Sequence, residues 1–162
     1  MSGTPGILTG PNLPGGREPR SCDGGAFRRR GIGRSYLEVA AVSSAVPHAR
    51  RCTRHTLATW QLDQIANDIE LVVSELVTNA IRATVEMQLA AHVVLYLAAD
   101  PGRLTLLVWD ACPEPPVSQP HEDDAAGGRG LEIVEALSDR WGSWTPVQGG
   151  KIVWAWFDLD HP

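Results

Sequence analysis

A chain of 162 residues, 43% hydrophobic and 20% charged, has the composition of one soluble globular domain. Its formal net charge of −5 is uneven: residues 1–34 carry six arginines against Glu18 and Asp23, and the remainder holds eight basic residues against 17 acidic ones. An acidic body argues against nonspecific nucleic-acid binding, and no apolar run approaches the roughly 20 residues of a membrane span.

In chain order, residues 1–34 contain nine glycines and four prolines with little apolar clustering. Such a segment cannot bury a core and is expected to be a disordered tail. Its "RRRGIGR" stretch would suit nucleic acid or an acidic partner, but a solvated tail is the simpler expectation. The folded domain is expected over 35–160. "SYLEVAAV" has the character of a short strand. Ser44 and Pro47 announce a helix, which Ala49, Thr53, Leu57 and Trp60 continue at helical spacing. Asp63 and Asn67 mark the next start. Beyond them Ile69, Val72, Val73, Leu76, Val77, Ala80 and Ala83 form one apolar stripe of period 3.6. "HVVLYLAA" and "RLTLLVWDA" flank the turn signal "DPG" and predict a hairpin. In its second strand Leu104, Leu106, Val108 and Asp110 share a face.

Residues 111–128 are Pro-rich, then acidic, then Gly-rich, and predict a long loop. "RGLEIVEALSDRWG" predicts a third helix with Leu131, Val134 and Leu137 on one side. A last hairpin joins roughly 141–146 to "KIVWAWFDL". The order β-α-α-β-β-loop-α-β-β implies an α+β two-layer sandwich, a mixed and mostly antiparallel sheet with helices on one face. No basic start followed by an apolar stretch marks a signal peptide, and a cytoplasmic location is the default expectation. The three cysteines are odd in number and widely spaced, without the pattern of a metal site or disulfide framework. Lys151 is the single lysine among 14 basic residues, which has the look of a codon bias.

Three places carry chemistry. Glu75 and Asn79, four residues apart, fall on one face of the second helix beside its apolar stripe. Their oxygens suit Mg²⁺ shared with substrate phosphates, and a carboxylate there could deprotonate a hydroxyl; a solvated helix face is the alternative. Asp110 ends a strand on its apolar face and must find a donor, such as an adenine amino group, or else it shapes a turn. "GGRGLEIV" brings glycines and Arg129 to a helix start, an anion-binding arrangement or simply a flexible loop end.

In that order on those elements, the chain from Tyr36 to Leu159 resembles the histidine-kinase-like ATPase (Bergerat) fold. It is most similar to its bacterial branch of anti-sigma-factor serine/threonine kinases. "SELVTNAI" resembles the N box, "LLVWDACPEPP" stands at the first glycine box, "GGRGLEIVEALSDRWG" at the second, and "GGKIVWAWFDL" at the closing strand. The resemblance implies ATP and Mg²⁺ as cofactors. It makes Glu75 the catalytic base or water organiser, Asn79 the Mg²⁺-holding residue and Asp110 the reader of the adenine amino group. Gly127, Gly128, Arg129, Gly130 and Leu131 would bind the phosphates, within a lid formed by 111–128. The implied partners are a sigma factor and a small antagonist (anti-anti-sigma) protein, with a possible homodimer and neither membrane nor direct nucleic acid.

The chain departs from the family pattern where Cys112 and Glu114 replace the two glycines of the first box, and where Ile152 stands in place of a frequent threonine. Ala83 stands where a polar ring residue is common. These changes, and the acidic Glu122, Asp123 and Asp124, predict weaker nucleotide binding. They keep open a second reading, a degenerate non-catalytic scaffold. His55, with no separate dimerisation helix, is expected at or near the surface. Cys112 is expected to pack rather than react. Trp154 and Trp156, alternating on the final strand, either cover the sheet or mark an interface.

Overall fold

A computed structural model describes residues 33–89, 91–116 and 130–160. Strand β1 (Gly33–Ala40) leads into helix α1 (Ala45–Thr59), a short 3₁₀ turn (Asp63–Ile65) and helix α2 (Ala66–Glu86). Strands β2 (His92–Asp100) and β3 (Arg103–Asp110) form a hairpin, followed by α3 (Gly130–Leu137), β4 (Arg140–Trp144) and β5 (Lys151–Asp158). The expected element order is the observed one. The strands form one sheet in the order β1-β2-β3-β5-β4. Its four ladders are all antiparallel, so the mixed sheet anticipated from the sequence has no parallel pair among the described residues.

Alternation decides the layering. Leu37 and Val39 of β1, Val93, Leu95, Leu97 and Ala99 of β2, Leu104, Leu106 and Val108 of β3, and Val153, Ala155 and Phe157 of β5 are buried on one face. Against them lie the stripes of the helices: Ala49 and Leu57 of α1, Ile69, Val72, Val73, Leu76, Val77 and Ala80 of α2, and Leu131 and Val134 of α3. The α2 stripe ends on fully buried Thr84 rather than Ala83; the Thr84 hydroxyl satisfies itself by donating to the Ala80 carbonyl at 2.8 Å. At the far end of the sheet, β1 begins at Gly33, so Gly33 and Arg34 belong to the sheet rather than to the tail. Arg34 donates to the Ala99 carbonyl and pairs with Asp100 at 2.6 Å. The rest of the expected tail lies outside the described residues.

The third helix is shorter than the sequence suggests. The Ser138 hydroxyl returns to the Val134 carbonyl at 2.6 Å, and the Asp139 carboxylate accepts the Asp158 amide at 2.7 Å. These bonds turn the chain out of α3, and "RWG" becomes the start of β4. Among the described residues no helix is long and apolar enough to cross a membrane.

Among the described residues no helix covers the other sheet face. Trp109, Trp154 and Trp156 lie half-buried there beside Trp144, and the rings of Trp154 and Trp156 meet at 4.8 Å. The Arg103 guanidinium sits 4.5 Å from the Trp156 ring centroid, so this pair shields its own strand from water.

Candidate nucleotide site

Helix α2 carries Glu75 and Asn79 because its buried positions follow a 3.6 period and these two flank the stripe. Both are half-buried. No described residue gives either side chain a hydrogen bond or ion pair. Directly over them stands the first residue of α3. A Cβ added to Gly130 would lie 2.7 Å from Glu75 Oε2 and 3.4 Å from Asn79 Nδ2. Only a glycine lets the α3 start approach this closely without moving the carboxylate. The sequence pair at 75 and 79 and the glycine-led helix, more than 50 residues apart in sequence, are therefore one site.

Asp110, at the end of β3, is buried on the helix-facing side as its alternation predicts, with 1% of its surface exposed. Its donor is one the sequence did not suggest. Lys151, the first residue of β5 and the cross-strand partner of Asp110, is 5% exposed and donates to Asp110 Oδ1 at 2.8 Å. The Cys112 amide donates to the same oxygen at 3.0 Å. No described residue donates to Oδ2. Burial pushes the Asp110 carboxyl above its ordinary range; the Lys151 ammonium and the Cys112 N–H pull it back down, and burial prevails.

The lone lysine is thus not explained by codon usage alone. A chain that otherwise uses arginine has placed a compact, strongly donating ammonium at this buried position. Gly150, just before it, has φ +73°, and a Cβ there would sit 2.2 Å from the Asp110 carbonyl oxygen. The "GGK" triplet lets the turn into β5 close onto the end of β3, and that close approach was the available clue to Lys151.

The remaining expectations divide. Leu131 turns its side chain into the core, which leaves only its backbone for a ligand. Gly127, Gly128 and Arg129, the acidic residues 122–124 and most of the expected lid lie outside the described residues. Cys112 is a free thiol buried at 3% exposure, consistent with a packing role, and Glu114 is exposed. His55 is exposed on α1.

Comparison with protein families gives a match to the histidine kinase-like ATPase domain over residues 39–157. The chain belongs to that family. The matched span runs from the end of β1 almost to the end of β5 and contains every described site element. This histidine kinase-like ATPase domain is accordingly an ATP-binding regulatory ATPase domain, with the two-layer α+β architecture described above. A search of curated protein sequences finds no match.

Proposed function

We propose that this histidine kinase-like ATPase domain is an anti-sigma-factor-type serine/threonine kinase, acting in the cytoplasm on a small antagonist protein and sequestering a sigma factor, with a homodimer as its working form. The observation that carries the active site is the contact of Gly130 with Glu75 and Asn79. It sets a carboxylate and a carboxamide, neither of them paired with a described residue, under the start of a glycine-led helix. Phosphoryl transfer depends mainly on positioning and charge stabilisation, and these elements supply the fixed donors and acceptors for it.

In this reading a Glu75 oxygen takes the proton of the attacking serine hydroxyl, and Asp110 accepts a hydrogen bond from the adenine amino group. The residues suit Mg²⁺ in one way. The half-buried Asn79 carboxamide receives no bond from a described residue, so its oxygen could hold the ion together with nucleotide phosphates. Bound there, it would neutralise charge on the phosphates. The backbone amides at the α3 start and Arg129 would do the rest, and a tail before β1 and a domain from β1 to residue 160 form the proposed division of the chain.

Calorimetric titration of Mg·ATP into the purified protein tests the site. Micromolar binding that needs Mg²⁺ and is lost in Asn79→Ala is the expected result. A second reading, a scaffold without turnover, draws on Cys112 and Glu114 in place of two glycines. Absence of binding at millimolar ATP, with partner capture unaffected by nucleotide, would decide for it.

A further inference from the structure

We propose that Lys151 is a positioning residue for base recognition: by donating to Oδ1 of Asp110, its ammonium favours the anionic carboxyl and reserves Oδ2 as the acceptor for an exocyclic amino group. The inference rests on the reading of Asp110 as the adenine contact and goes beyond it to the residue that makes the contact selective.

Three observations lead here. Both protein donors to Asp110, the Lys151 ammonium and the Cys112 amide, converge on Oδ1. Oδ2 receives nothing from a described residue, although the side chain is almost fully buried. Oδ2 is not one of the fully buried atoms left without a partner, which among the described residues are Thr53 Oγ1 and Glu70 Oε1, so it keeps an opening through which a ligand donor can reach it. Finally, Lys151 is set directly opposite Asp110 in the β3–β5 ladder, so strand pairing rather than a flexible loop fixes the geometry.

The chemistry then separates two bases. An anionic Asp110 can only accept. It welcomes the 6-amino group of adenine and repels the 6-oxo group of hypoxanthine. Burial already favours the protonated carboxyl, and without the Lys151 charge nothing but one backbone N–H opposes it. A protonated carboxyl carries a donor of its own and can serve a 6-oxo group as well as a 6-amino group. Lys151 therefore acts on the ligand through Asp110, without touching it.

The test measures the affinities of ATP and ITP, its 6-oxo counterpart, for the full chain by calorimetry. The proteins are wild type, Lys151→Met, Lys151→Gln, Lys151→Arg and Asp110→Asn. Wild type should favour ATP by about 10-fold or more, as expected for one hydrogen bond made or forfeited in a buried site. Lys151→Met should weaken ATP by about 10-fold while leaving ITP within about 3-fold, so that the preference collapses. Lys151→Arg should restore much of it. Lys151→Gln, which keeps a donor but no charge, should behave as Met does, and it replaces Met if that variant does not fold by circular dichroism.

The outcomes separate the two claims. If Asp110→Asn abolishes the preference while Lys151→Met and Lys151→Gln retain it, Asp110 reads the base and the role given to Lys151 is wrong. If Asp110→Asn leaves the preference unchanged, or wild type binds neither nucleotide, the reading of Asp110 fails and takes the inference with it.

Discussion

Two stretches of α2 treat a carboxylate in opposite ways. Near the helix start Glu70 is 4% exposed and lies between two arginines of α1, with Arg54 against one oxygen and Arg50 Nε 3.8 Å from the other. Five residues on, Glu75 faces the start of α3 and receives no hydrogen bond or ion pair from a described residue. The first carboxylate is met by two arginine charges, although its buried Oε1 accepts no well-aligned hydrogen bond, and it serves to clamp α1 to α2. The second is left open, and an open half-buried carboxylate is available for a proton or a ligand. Asp110 is answered at one oxygen and open at the other.

The contrast breaks most visibly at Glu75. Replacing it with Ala should leave stability within about 0.5 kcal/mol, because no partner is lost, yet reduce phosphoryl transfer by about 100- to 10,000-fold. Denaturant midpoints and a radiolabel transfer assay with the unphosphorylated antagonist protein as acceptor read the two effects separately; normal transfer would remove Glu75 as the base. Asp110→Ala is next, and acts on stability. It strands the buried Lys151 ammonium and should cost about 3 kcal/mol in urea unfolding.

Gly130→Ala should leave the fold intact but displace Glu75 Oε2, lowering transfer by about 10- to 100-fold with a smaller loss of nucleotide affinity. Unchanged transfer there would show that the carboxylate has room to move. Glu70→Ala should lower stability by about 1–2 kcal/mol, since its arginine partners are more than half exposed and solvent screens them. Nucleotide binding should not change.

The smallest effect belongs to a surface carboxylate. Glu38 accepts from the Tyr36 hydroxyl at 3.0 Å and lies 3.3 Å from His92 Nδ1. Partial burial, then that hydrogen bond and the neighbouring negative charge, push the Tyr36 pKa up to about 12. The folded protein holds the phenolic proton more tightly than the unfolded chain. This contribution to stability is complete below the ordinary value of 10.0 and disappears as pH rises through about 12. Ultraviolet titration should show one of the two tyrosines ionising late, and Tyr36→Phe should abolish that phase with little change in stability at neutral pH.

What could be read from the sequence followed from local periodicity. The stripe on α2 located Glu75 and Asn79, and strand alternation put Asp110 on the buried face, because both patterns repeat within a few residues. Glu70 and Lys151 escaped for a different reason. The role of Glu70 depends on how α1 crosses α2, and that of Lys151 on the register of a strand that returns 41 residues after Asp110. Neither is written in its own neighbourhood. The end of α3 was misjudged because the Asp139 amide donates to the Trp156 carbonyl and its carboxylate accepts the Asp158 amide, partners that only the folded chain brings near.

The Asp110–Lys151 pair also forms a neck. The chain between these residues leaves the sheet from one point and comes back to the same point, and among the described residues α3, packed on α2, and β4, paired with β5, are what tie it down along the way. Lengthening a loop inside such an excursion costs little, on the order of 0.6 kcal/mol for each doubling, while the neck itself stays put. Over evolutionary time this arrangement lets insertions and deletions accumulate beside the candidate site without altering the Asp110–Lys151 pair, so the region next to it is free to change in length.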